Sequence, residues 1–520
     1  MIDVHGFQLK ENVDEELEGL VNTDGLPVAK SSGSQVWPIQ IRFLNDWTST
    51  WLPIIVGVYQ GYHKPKIMNE YLNDFVTEAH QLLQTGLIYQ NGILKIPIFG
   101  YSCDAPANAM MKQIKIHTGY ESCPKCEVYG KWAGRVVLLE TTAPLRTHAC
   151  FINQKQEGHH IGRSVLEQLG TDMIKSFAID YMHCVLLGVM RKLLWLWIKG
   201  PLSTRIGRLN IERISVALGG LVDFIPDDFA RKPRSLEELA RWKATELRQF
   251  LLYTGPVVLK EIFKEGSLKC FYDHFLILVT AIKILSSPHL CQVAAYNQYA
   301  KDLLIYFVEK CKILYGEWFI SYNVHCLIHL ADDVIRFGPL DRYSSFPFEN
   351  NMKTVKAMIR KHECILPQIV RRIEQDTNYI HSHKVGRGKT ALNMKHTNGP
   401  VLNADNGRQY RVLHYKSMLL KCDAANSCVI LNDETVVKIS NFIEHNNSIS
   451  IIGQEFNNRL KMGLFSKPLK SSKLGIYSVQ LSSISCNKSW PLTAIKFKAA
   501  CIPHSTKNNY AIFPLMHTEN

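Results

Sequence analysis

The sequence contains no long, uncharged hydrophobic run. Its two most apolar stretches, Cys184–Ile198 and Phe275–Leu285, are short and are interrupted by basic side chains. A membrane-spanning helix needs roughly 18 or more predominantly apolar residues, so no membrane span is predicted. The first twenty residues carry six acidic side chains and one lysine, the opposite of the charge pattern of an export or mitochondrial targeting segment.

The sequence also has few features of secreted or nucleotide-binding proteins. Its 14 cysteines are spread along the chain, as expected of reduced thiols in the cytosol or the nucleus. Neither a GxxxxGK(S/T) nor a GxGxxG motif occurs at a strand-to-helix turn. A P-loop or Rossmann enzyme is therefore not expected, despite the early alternation of strands and helices.

What the chain does have is an excess of basic residues and enough apolar residues for large cores. The 60 Lys and Arg residues against 46 Asp and Glu residues give a formal net charge of +14, which favours polyanionic partners such as nucleic acid or an acidic membrane surface and does not choose between them. Hydrophobic residues make up 46% of the chain, as in ordinary globular proteins. At roughly 150 residues per domain, 520 residues predict three or four domains, or one large domain with insertions.

Residues 20–157 alternate between strand and helix patterns in the order β-β-β-α-β-α-β. Apolar, β-branched runs predict the strands, and apolar residues spaced three and four apart predict the helices. Pro106 can begin the second helix, because a missing N–H costs nothing in the first helical turn. The predicted strands are Leu20–Thr23, Gln35–Leu44, Pro53–Tyr59, Ile93–Tyr101 and Arg135–Leu139, and the predicted helices are Ile67–Leu83 and Ala107–Ile116.

Residues 158–340 are predicted to form an all-helical insertion, because long helical periodicities replace the strand patterns. Residues 341–383 remain helical, and residues 384–407 are polar, basic and rich in Gly and Asn, which predicts a linker. Short alternating runs in residues 408–520 predict a C-terminal β domain, and residues 1–19 are an acidic extension. The predicted helices are Tyr181–Ile198, Ile211–Leu221, Ser235–Tyr253, Phe271–Leu285, Val293–Leu314, Val324–Ile335, Glu349–Ile359 and Pro367–Glu374.

Two aspartates follow predicted strands. Asp24 ends the first strand and Asp104 ends the fourth, and their carboxylates would be neighbours in a mixed sheet with the first strand in its middle. Carboxylates held together repel each other unless a divalent cation lies between them, and oxygen ligands suit Mg²⁺ or Mn²⁺. Taken alone, Asp24 is more often an ordinary turn residue, and Asp104 serves equally well as the N-cap of the helix near Pro106.

Four further runs carry a resemblance. They are VNTDGLPVAKSSGSQVWPI, YSCDAPANA, DYMHCVLLGVMRKL and SSFPFENNM. They resemble the catalytic domain of CACTA (En/Spm-type) transposases and, more distantly, the catalytic subunit of the V(D)J recombinase, over Leu20–Glu374. The resemblance implies a ribonuclease H-like mixed sheet (an α+β/α/β fold) interrupted by the helical insertion. It also implies a triad of Asp24, Asp104 and Glu349 that holds Mg²⁺ or Mn²⁺ and cuts and joins DNA by two-metal-ion phosphoryl transfer.

The same resemblance implies partners and a location. The partners are DNA, both transposon ends and target, and further copies of the chain, because two DNA ends must be brought together; the location is the nucleus. The alternative is a domesticated, catalytically silent descendant that keeps the fold, zinc and DNA binding but performs no transposition. Cleavage of DNA that depends on Glu349 separates these two functions.

A second metal site is predicted from the spacing of cysteine and histidine. Cys123 and Cys126 form a Cys-Pro-Lys-Cys knuckle, in which two thiolates can reach one Zn²⁺. His325 and His329 are four residues apart on a predicted helix, so both imidazoles project from one face. Histidines on apolar helices are usually core residues, but the resembling transposases carry both pairs, which implies one structural Cys₂His₂ zinc site. We expect this site to pin the ends of the insertion to the catalytic sheet.

The remaining candidates are one histidine and several basic residues. Asp180 and His183 open a predicted helix, where an N-cap followed by a first-turn histidine is the ordinary explanation. The resemblance instead implies that His183 lies near the scissile DNA and contacts a phosphate or assists proton transfer. Basic residues of two segments are predicted to contact DNA, although a solvated charged face explains the first segment as well. They are Arg231, Lys232, Arg234 and Arg241 in the first segment, and Lys353 and Lys356 near Glu349 in the second.

Overall fold

The chain, in a computed structural model, forms two compact units that are described separately. The first comprises Met1–Gly188 with Cys311–Val385, and the second comprises Val189–Lys310 with Gly386–Asn520. The structure describes residues 16–28, 33–45, 52–89, 92–264, 266–361, 363–376, 390–402, 407–457, 462–504 and 508–516.

A six-stranded mixed β-sheet organises the first unit. Two short hairpins, Leu87–Tyr89 with Gly92–Leu94 and Lys131–Trp132 with Val136–Val137, lie outside it. The strands of the main sheet are β1 (Gly19–Thr23), β2 (Leu26–Pro27), β3 (Gln35–Phe43), β4 (Ile54–Gly61), β5 (Ile98–Cys103) and β6 (Phe177–Ile179).

Strand β1 lies in the middle of this sheet. It pairs antiparallel with β3 on one side and parallel with β5 on the other, and β6 pairs parallel with β5. Strands β2 and β4 both pair antiparallel with β3. Because β1, β5 and β6 run in the same direction, the residues that directly follow them lie at one edge of the sheet. These residues are Asp24, Asp104 and Asp180.

Helices cover the sheet and bury its apolar side chains. Strands β1 and β6 are buried along their whole length, and Tyr101 of β5 stacks on Phe177 of β6 with ring centroids 4.4 Å apart. Residues Met182–Met190 are π-helical. The α-helices of this unit are α1 (Met68–Thr85), α2 (Ala105–Lys112), α3 (His148–Ile152), α4 (Tyr322–Cys326), α5 (Leu330–Phe337), α6 (Phe346–Ala357) and α7 (Ile365–Asp376).

The fifth predicted strand, Arg135–Leu139, is not part of the main sheet, and β6 is found there instead. Strand β6 lies inside the segment predicted to be all-helical, whereas Val136–Val137 of the predicted strand Arg135–Leu139 belong to a separate hairpin. The three residues of β6 are buried on both faces, so they show no alternation, and a run this short cannot be told from a helix by periodicity. The prediction that residues 158–340 contain only helices is therefore wrong at Phe177–Ile179.

The predicted strand Ile93–Tyr101 is also divided. Its first residues pair with Leu87–Tyr89 in a hairpin, and β5 begins only at Ile98. Pro97 lies at the break, and proline has no N–H to donate to a strand ladder; its carbonyl instead accepts a 2.9 Å hydrogen bond from the Gly19 amide.

The second unit contains helices and the C-terminal strands. The predicted helix Ser235–Tyr253 is broken, because Trp242 and Lys243 have extended backbone conformations. Among the described residues, no helix has the length and apolar character needed to cross a bilayer. The α-helices are Arg191–Lys199, Arg208–Gly219, Ala244–Gln249, Gly255–Ile262, Lys269–Ser286, Pro288–Cys291 and Ala294–Tyr315.

The C-terminal strands confirm a region of β structure. Strand Ala391–His396 pairs antiparallel with Arg408–Tyr415, so part of the predicted linker 384–407 is an edge strand; residues 384–389 and 403–406 lie outside the described residues. Its alternation was hidden by polar side chains on a largely exposed strand. The other strands are Met418–Lys421, Cys428–Leu431, Val436–His445, Ser448–Phe456, Met462–Gly463, Tyr477–Gln480, Ile484–Pro491, Ile495–His504 and Asn509–Pro514.

Candidate active site and zinc site

Asp24 lies at an interruption between β1 and β2, two strands that pair with the same partner, β3. Thr23 anchors this point, since its buried hydroxyl lies 2.7 Å from the Tyr71 hydroxyl of α1. A Cβ on Gly25 would lie 2.8 Å from the Trp37 indole, so a larger residue there would require the indole to shift. The Gly25 amide donates to Asp24 Oδ1 at 2.6 Å. The turn thereby fixes the Asp24 carboxylate at the sheet edge.

Asp104 occupies both of the positions predicted for it, the end of a strand and the N-cap of a helix. It directly follows β5, and its Oδ1 accepts a 2.7 Å hydrogen bond from the Ala107 amide as the N-cap of α2. Pro106 lies in the first turn of that helix. Because capping uses one carboxylate oxygen, the second oxygen is left for another ligand. An N-cap role and a role at the sheet edge are thus compatible.

Glu349 reaches the same edge from the first turn of α6. Two hydrogen bonds hold this helix in place. The Ser345 amide donates to Asp180 Oδ1 at 2.7 Å, and Asn351 Nδ2 donates to Gln40 Oε1 of β3 at 2.8 Å. The Glu349 side chain is 41% exposed, so it is open to a ligand from solvent.

Two of the three predicted acids, Asp24 and Glu349, come together with His183, whereas Asp104 is outside this group and acts on Asp24 through its charge. A ligand atom of Asp24, one of Glu349 and one of His183 all lie within 4.8 Å of one another. Burial, and then the negative charges of Asp104 and Glu349, raise the pKa of Asp24 from 3.8 to about 7. A cation placed between carboxylates relieves such repulsion. Asp24, His183 and Glu349 could therefore hold a metal ion.

His183 is held against this cluster by Asp180. Asp180 Oδ2 accepts a 2.8 Å hydrogen bond from the His183 amide and lies 2.7 Å from its Nδ1. His183 Nε2 lies 3.8 Å from Glu349 Oε1. Burial alone lowers the pKa of His183, but the bond to Asp180 and the nearby carboxylates raise it from 6.5 to about 9. Among the acids, His183 is therefore a cation at neutral pH.

Sequence reasoning assigned Asp180 only as an N-cap and missed its position at a strand end. Its carboxylate is 3% exposed and joins the His183 segment to the start of α6. The signal in the sequence was the buried Phe-Ala-Ile run before Asp180, which is equivalent to the runs before Asp24 and Asp104 but shorter.

A pocket of about 270 Å³ adjoins the acidic cluster. Asp104, Asp180 and His183 line it together with His117 and Tyr322. The rings of His117 and Tyr322 meet edge to face, with centroids 6.0 Å apart. The pocket connects the acidic cluster to the loop that follows α2.

The predicted cysteines and histidines form a second, fully buried cluster. Cys123 Sγ lies 3.5 Å from His329 Nε2, Cys126 Sγ lies 3.2 Å from His325 Nε2, and the two sulfurs are 3.5 Å apart. Tetrahedral zinc, with bonds of about 2.3 Å to sulfur and about 2.0–2.1 Å to nitrogen, places such atoms about 3.5–3.8 Å apart. These four residues can therefore bind a metal such as zinc.

The electrostatics of this cluster favour a thiolate. Burial alone raises a thiol's pKa, but hydrogen bonds from two neighbouring thiols and the two imidazoles lower the pKa of Cys123 well below its ordinary value. The donating thiols are Cys126 and Cys326. The bond to Cys123 in turn raises the pKa of Cys126. Zinc takes deprotonated thiolates, so Cys123 is already close to its binding form. Cys326 was not identified from the sequence.

A buried ion pair connects the zinc cluster to the acidic edge. Lys125, between the two cysteines, contacts Asp333 of α5 at 2.5 Å, and these side chains are 8% and 5% exposed. Asp333 Oδ2 accepts a 2.8 Å hydrogen bond from the Ile179 amide of β6. Asp180 directly follows Ile179 in the chain. A continuous series of contacts therefore links Lys125, which lies between the two zinc-site cysteines, to the acidic cluster.

The basic residues predicted to contact DNA are divided between the units. In the second unit, Arg234 makes two hydrogen bonds to Glu246, at 2.6 and 2.9 Å, and Lys232 lies 3.2 Å from Asp227. The charges of Arg234 and Lys232 are therefore partly neutralised by acidic residues of the protein itself. The other four are more open: Arg231 and Arg241 are 50% and 79% exposed, and Lys353 and Lys356 are exposed on α6 of the first unit.

Comparison with known proteins adds one match. A family model described as a domain of unknown function (DUF8592) matches residues 395–515, which contain most of the C-terminal strands. No curated protein matches the chain. The acidic and zinc clusters lie outside the matched residues.

Proposed function

We propose that the chain is a DNA transposase of the DDE type, which cuts and joins DNA strands by two-metal-ion phosphoryl transfer. The observation that carries this proposal is that ligand atoms of Asp24 and Glu349 lie within 4.8 Å of each other, with Asp104 at the neighbouring strand end acting on Asp24 through its charge. Glu349 follows Asp104 by 245 positions, so the fold, not local sequence, brings the acids together.

The strand order supports a ribonuclease H-like sheet as the scaffold. A central β1 flanked by antiparallel β3 and parallel β5, with β4 and β6 outside them, is the arrangement that the resemblance to CACTA transposases implies. In an open sheet, ligands bind beyond the carboxyl ends of the parallel strands. Asp24 and Asp104 occupy two of those ends, and Asp180 occupies the third.

Each residue of the cluster has a distinct role in this proposal. Asp24, Asp104 and Glu349 would hold Mg²⁺ or Mn²⁺. Bound ions of this kind activate the attacking oxygen and stabilise the leaving oxygen during in-line displacement at phosphorus. The His183 cation, with Nε2 toward Glu349, would contact a phosphate oxygen and hold a proton near the leaving group. Asp180 keeps the His183 ring in that orientation.

The Cys₂His₂ cluster would bind Zn²⁺ as a structural site. Its four protein ligands leave no position open for water, which distinguishes structural from catalytic zinc. Through Lys125 and Asp333 it would fix β6 and therefore Asp180. DNA is the proposed partner, assembly of several copies follows from the need to join two ends, and the nucleus is the proposed location.

The test uses the full chain with Mg²⁺ or Mn²⁺ and two substrates. A supercoiled plasmid reports strand cleavage, and a labelled duplex with free 3′-hydroxyl ends reports strand transfer into that plasmid. We expect both products with the wild type and neither with Glu349→Gln. Glu363→Gln, which changes an exposed glutamate of the same unit, is the matched control and should retain both activities.

The domesticated alternative gives a different outcome in the same assay. A silent descendant would shift DNA in a binding experiment but produce neither nicked plasmid nor joined duplex with either metal. Cleavage that persists in Glu349→Gln would contradict the proposed active site itself.

A further inference from the structure

The segment that follows α2 and includes the first strand and the turn of the hairpin Lys131–Trp132/Val136–Val137 exposes large aromatic rings. We call residues 116–135 the aromatic loop. Tyr120, Tyr129 and Trp132 are 44%, 68% and 65% exposed. Such rings usually lose most of their surface on folding, and a cluster that stays in solvent marks a surface for a partner.

The rings of the aromatic loop are held in place before any partner binds. Tyr120 and Tyr129 stack with centroids 5.7 Å apart and an interplanar angle of 23°. The Gly130 amide donates to the Tyr120 carbonyl at 2.7 Å, which joins the two ends of the segment. Between them lie Cys123 and Cys126, whose side chains are buried in the zinc cluster. A preorganised surface pays little ordering entropy on binding.

The position of the aromatic loop relates it to the acidic cluster. His117, at its start, lines the same pocket as Asp104 and His183. His117 precedes Tyr120 by three residues, so the start of the aromatic loop borders the pocket. Both sites lie in the first unit.

The charges near these rings fit a polyanion better than an apolar partner. Lys115 and Arg135 are exposed, whereas Glu121 and Glu127 are only partly exposed. Lys131 is 62% exposed and pairs with Glu317 at 2.8 Å, a surface contact that contributes little on its own. Basic residues interleaved with exposed aromatic rings form the usual surface for single-stranded nucleic acid, in which phosphates pair with cations and bases stack on rings. In a duplex the base faces are already stacked, so only unpaired bases offer a face to these rings.

We propose that Tyr120, Tyr129 and Trp132 form a stacking surface for unpaired bases of single-stranded DNA. The choice of DNA rests on the proposed function; the stacking mode rests on the rings themselves. The surface would hold the strand that separates near a cleaved phosphate.

The experiment measures binding of the full chain to a mixed-sequence single-stranded oligonucleotide and to its duplex, without divalent metal. Loss of one stacked ring typically weakens binding about fivefold to a hundredfold. We expect Trp132→Ala and Tyr129→Ala to lose affinity for the single strand in this range, with little change for the duplex. Trp132→Phe and Tyr129→Phe should retain it, because phenylalanine also stacks. Tyr62→Ala, at a tyrosine that is 72% exposed outside the aromatic loop, is the control.

A second measurement covers variants that fail to fold. Iodouracil-substituted single strands are cross-linked to the wild type by light, and the modified peptides are identified by mass spectrometry. Cross-links at residues 120, 129 or 132 support the proposal. Cross-links found only elsewhere, single-strand affinity that survives both alanine variants, or equal losses for single strand and duplex would overturn it.

Failure of this proposal is distinguishable from failure of the proposed function. Binding is measured without divalent metal and without catalysis, and Glu363→Gln, at an exposed glutamate outside the acidic cluster, should bind the single strand like the wild type. If binding depends on the rings but no cleavage occurs, the proposed transposase activity is contradicted and the stacking surface is supported. If cleavage occurs but binding does not depend on the rings, the transposase activity is supported and the stacking surface is contradicted.

Discussion

The carboxylate of Asp180 accepts a 2.7 Å hydrogen bond from the backbone amide of Ser345, 165 positions later in the chain. Its other oxygen lies 2.7 Å from His183 Nδ1. One buried side chain thus positions both His183 and the helix that carries Glu349. The proposed active site depends on this contact as much as on the acids themselves.

Replacing Asp180 should disturb both partners. In Asp180→Asn one oxygen becomes an NH₂ group that faces an N–H donor, and a buried donor left unpaired costs about 1–3 kcal/mol of unfolding free energy. Burial lowers the pKa of His183 and the Asp180 anion raises it, so without that anion the pKa should fall from about 9; the charges of Asp104 and Asp24 remain and limit the fall. Histidine NMR titration measures the pKa and denaturant unfolding measures the stability. Asp172→Asn, outside the site, should leave the His183 titration unchanged; an unchanged titration in Asp180→Asn would refute the assignment.

The metal-free protein should lose stability as the pH rises. Folding raises the pKa of Asp24 from 3.8 to about 7, so the folded chain holds this proton more tightly than the unfolded chain. The resulting stabilisation is complete below pH 3.8 and is lost as the pH rises through about 7. Asp24→Asn has no such proton, and at pH 8 it should be more stable than the wild type by at least about 1 kcal/mol after allowance for solvent screening.

Mg²⁺ should reverse this difference. The ion competes with the proton on Asp24, so its affinity for the wild type should increase between pH 5 and pH 8 and its binding should release protons. Thermal unfolding with and without Mg²⁺ at several pH values measures both effects. The acidic metal site would be contradicted if Mg²⁺ did not change the unfolding temperature of the wild type. It would also be contradicted if Mg²⁺ raised the unfolding temperature of Asp24→Asn by as much as that of the wild type.

Removal of one zinc ligand should affect folding and activity together. Structural zinc contributes on the order of 10 kcal/mol in small zinc domains, and Cys123→Ala should therefore lose bound zinc, melt at lower temperature and lack cleavage activity. Metal content is measured by elemental analysis of the purified chain. Cys326→Ala is the matched control, because Cys326 is a buried neighbour but not one of the four ligands, and it should retain one zinc. Full activity in a zinc-free Cys123→Ala protein would refute the coupling.

The sequence was sufficient to predict strand ends that have a local pattern. It was insufficient where burial on both faces removes the alternation of polar and apolar residues. Asp24 and Asp104 could be placed at strand ends because β1 and β5 are apolar runs next to turn residues. Glu349 has no local signal, since an acid in a first helical turn is common; only the resemblance to CACTA transposases singled it out. Asp180 was not recognised as a strand end, because three buried residues of β6 carry no periodicity.

The zinc cluster shows the same division. The spacings of Cys123 with Cys126 and of His325 with His329 could be read from the sequence, but their meeting depends on the tertiary fold. The ion pair of Lys125 with Asp333, 208 positions apart, could not be predicted, because each residue alone looks like an ordinary surface charge. The stack of Tyr120 on Tyr129 was hidden for a similar reason: it needs the turn that the cysteines impose.

The matched C-terminal region should depend on the helical part of the second unit for its stability. Lys498, within the matched residues, is fully buried and pairs with Asp228, which is 8% exposed; it also donates to Asn426 at 2.9 Å. Lys498→Met leaves the Asp228 charge buried and unpaired, which should cost about 3–5 kcal/mol. The double variant Lys498→Met with Asp228→Leu should recover most of this loss in denaturant unfolding. Equal losses in the single and double variants would show that the pair is not coupled.

Lys353 and Lys356 should contact phosphates if α6 faces DNA. Lys353 lies one helical turn after Glu349 and Lys356 two turns after it, so all three project from the same side of α6. Each phosphate contact that is lost reduces the slope of log affinity against log salt by about 0.9. Lys353→Gln and Lys356→Gln should each lower the slope by about this amount and weaken binding to all sequences alike. Lys64→Gln, at another exposed lysine of the first unit, should leave the slope unchanged. If Lys353→Gln and Lys356→Gln also leave it unchanged, DNA does not approach Glu349 along this face of α6.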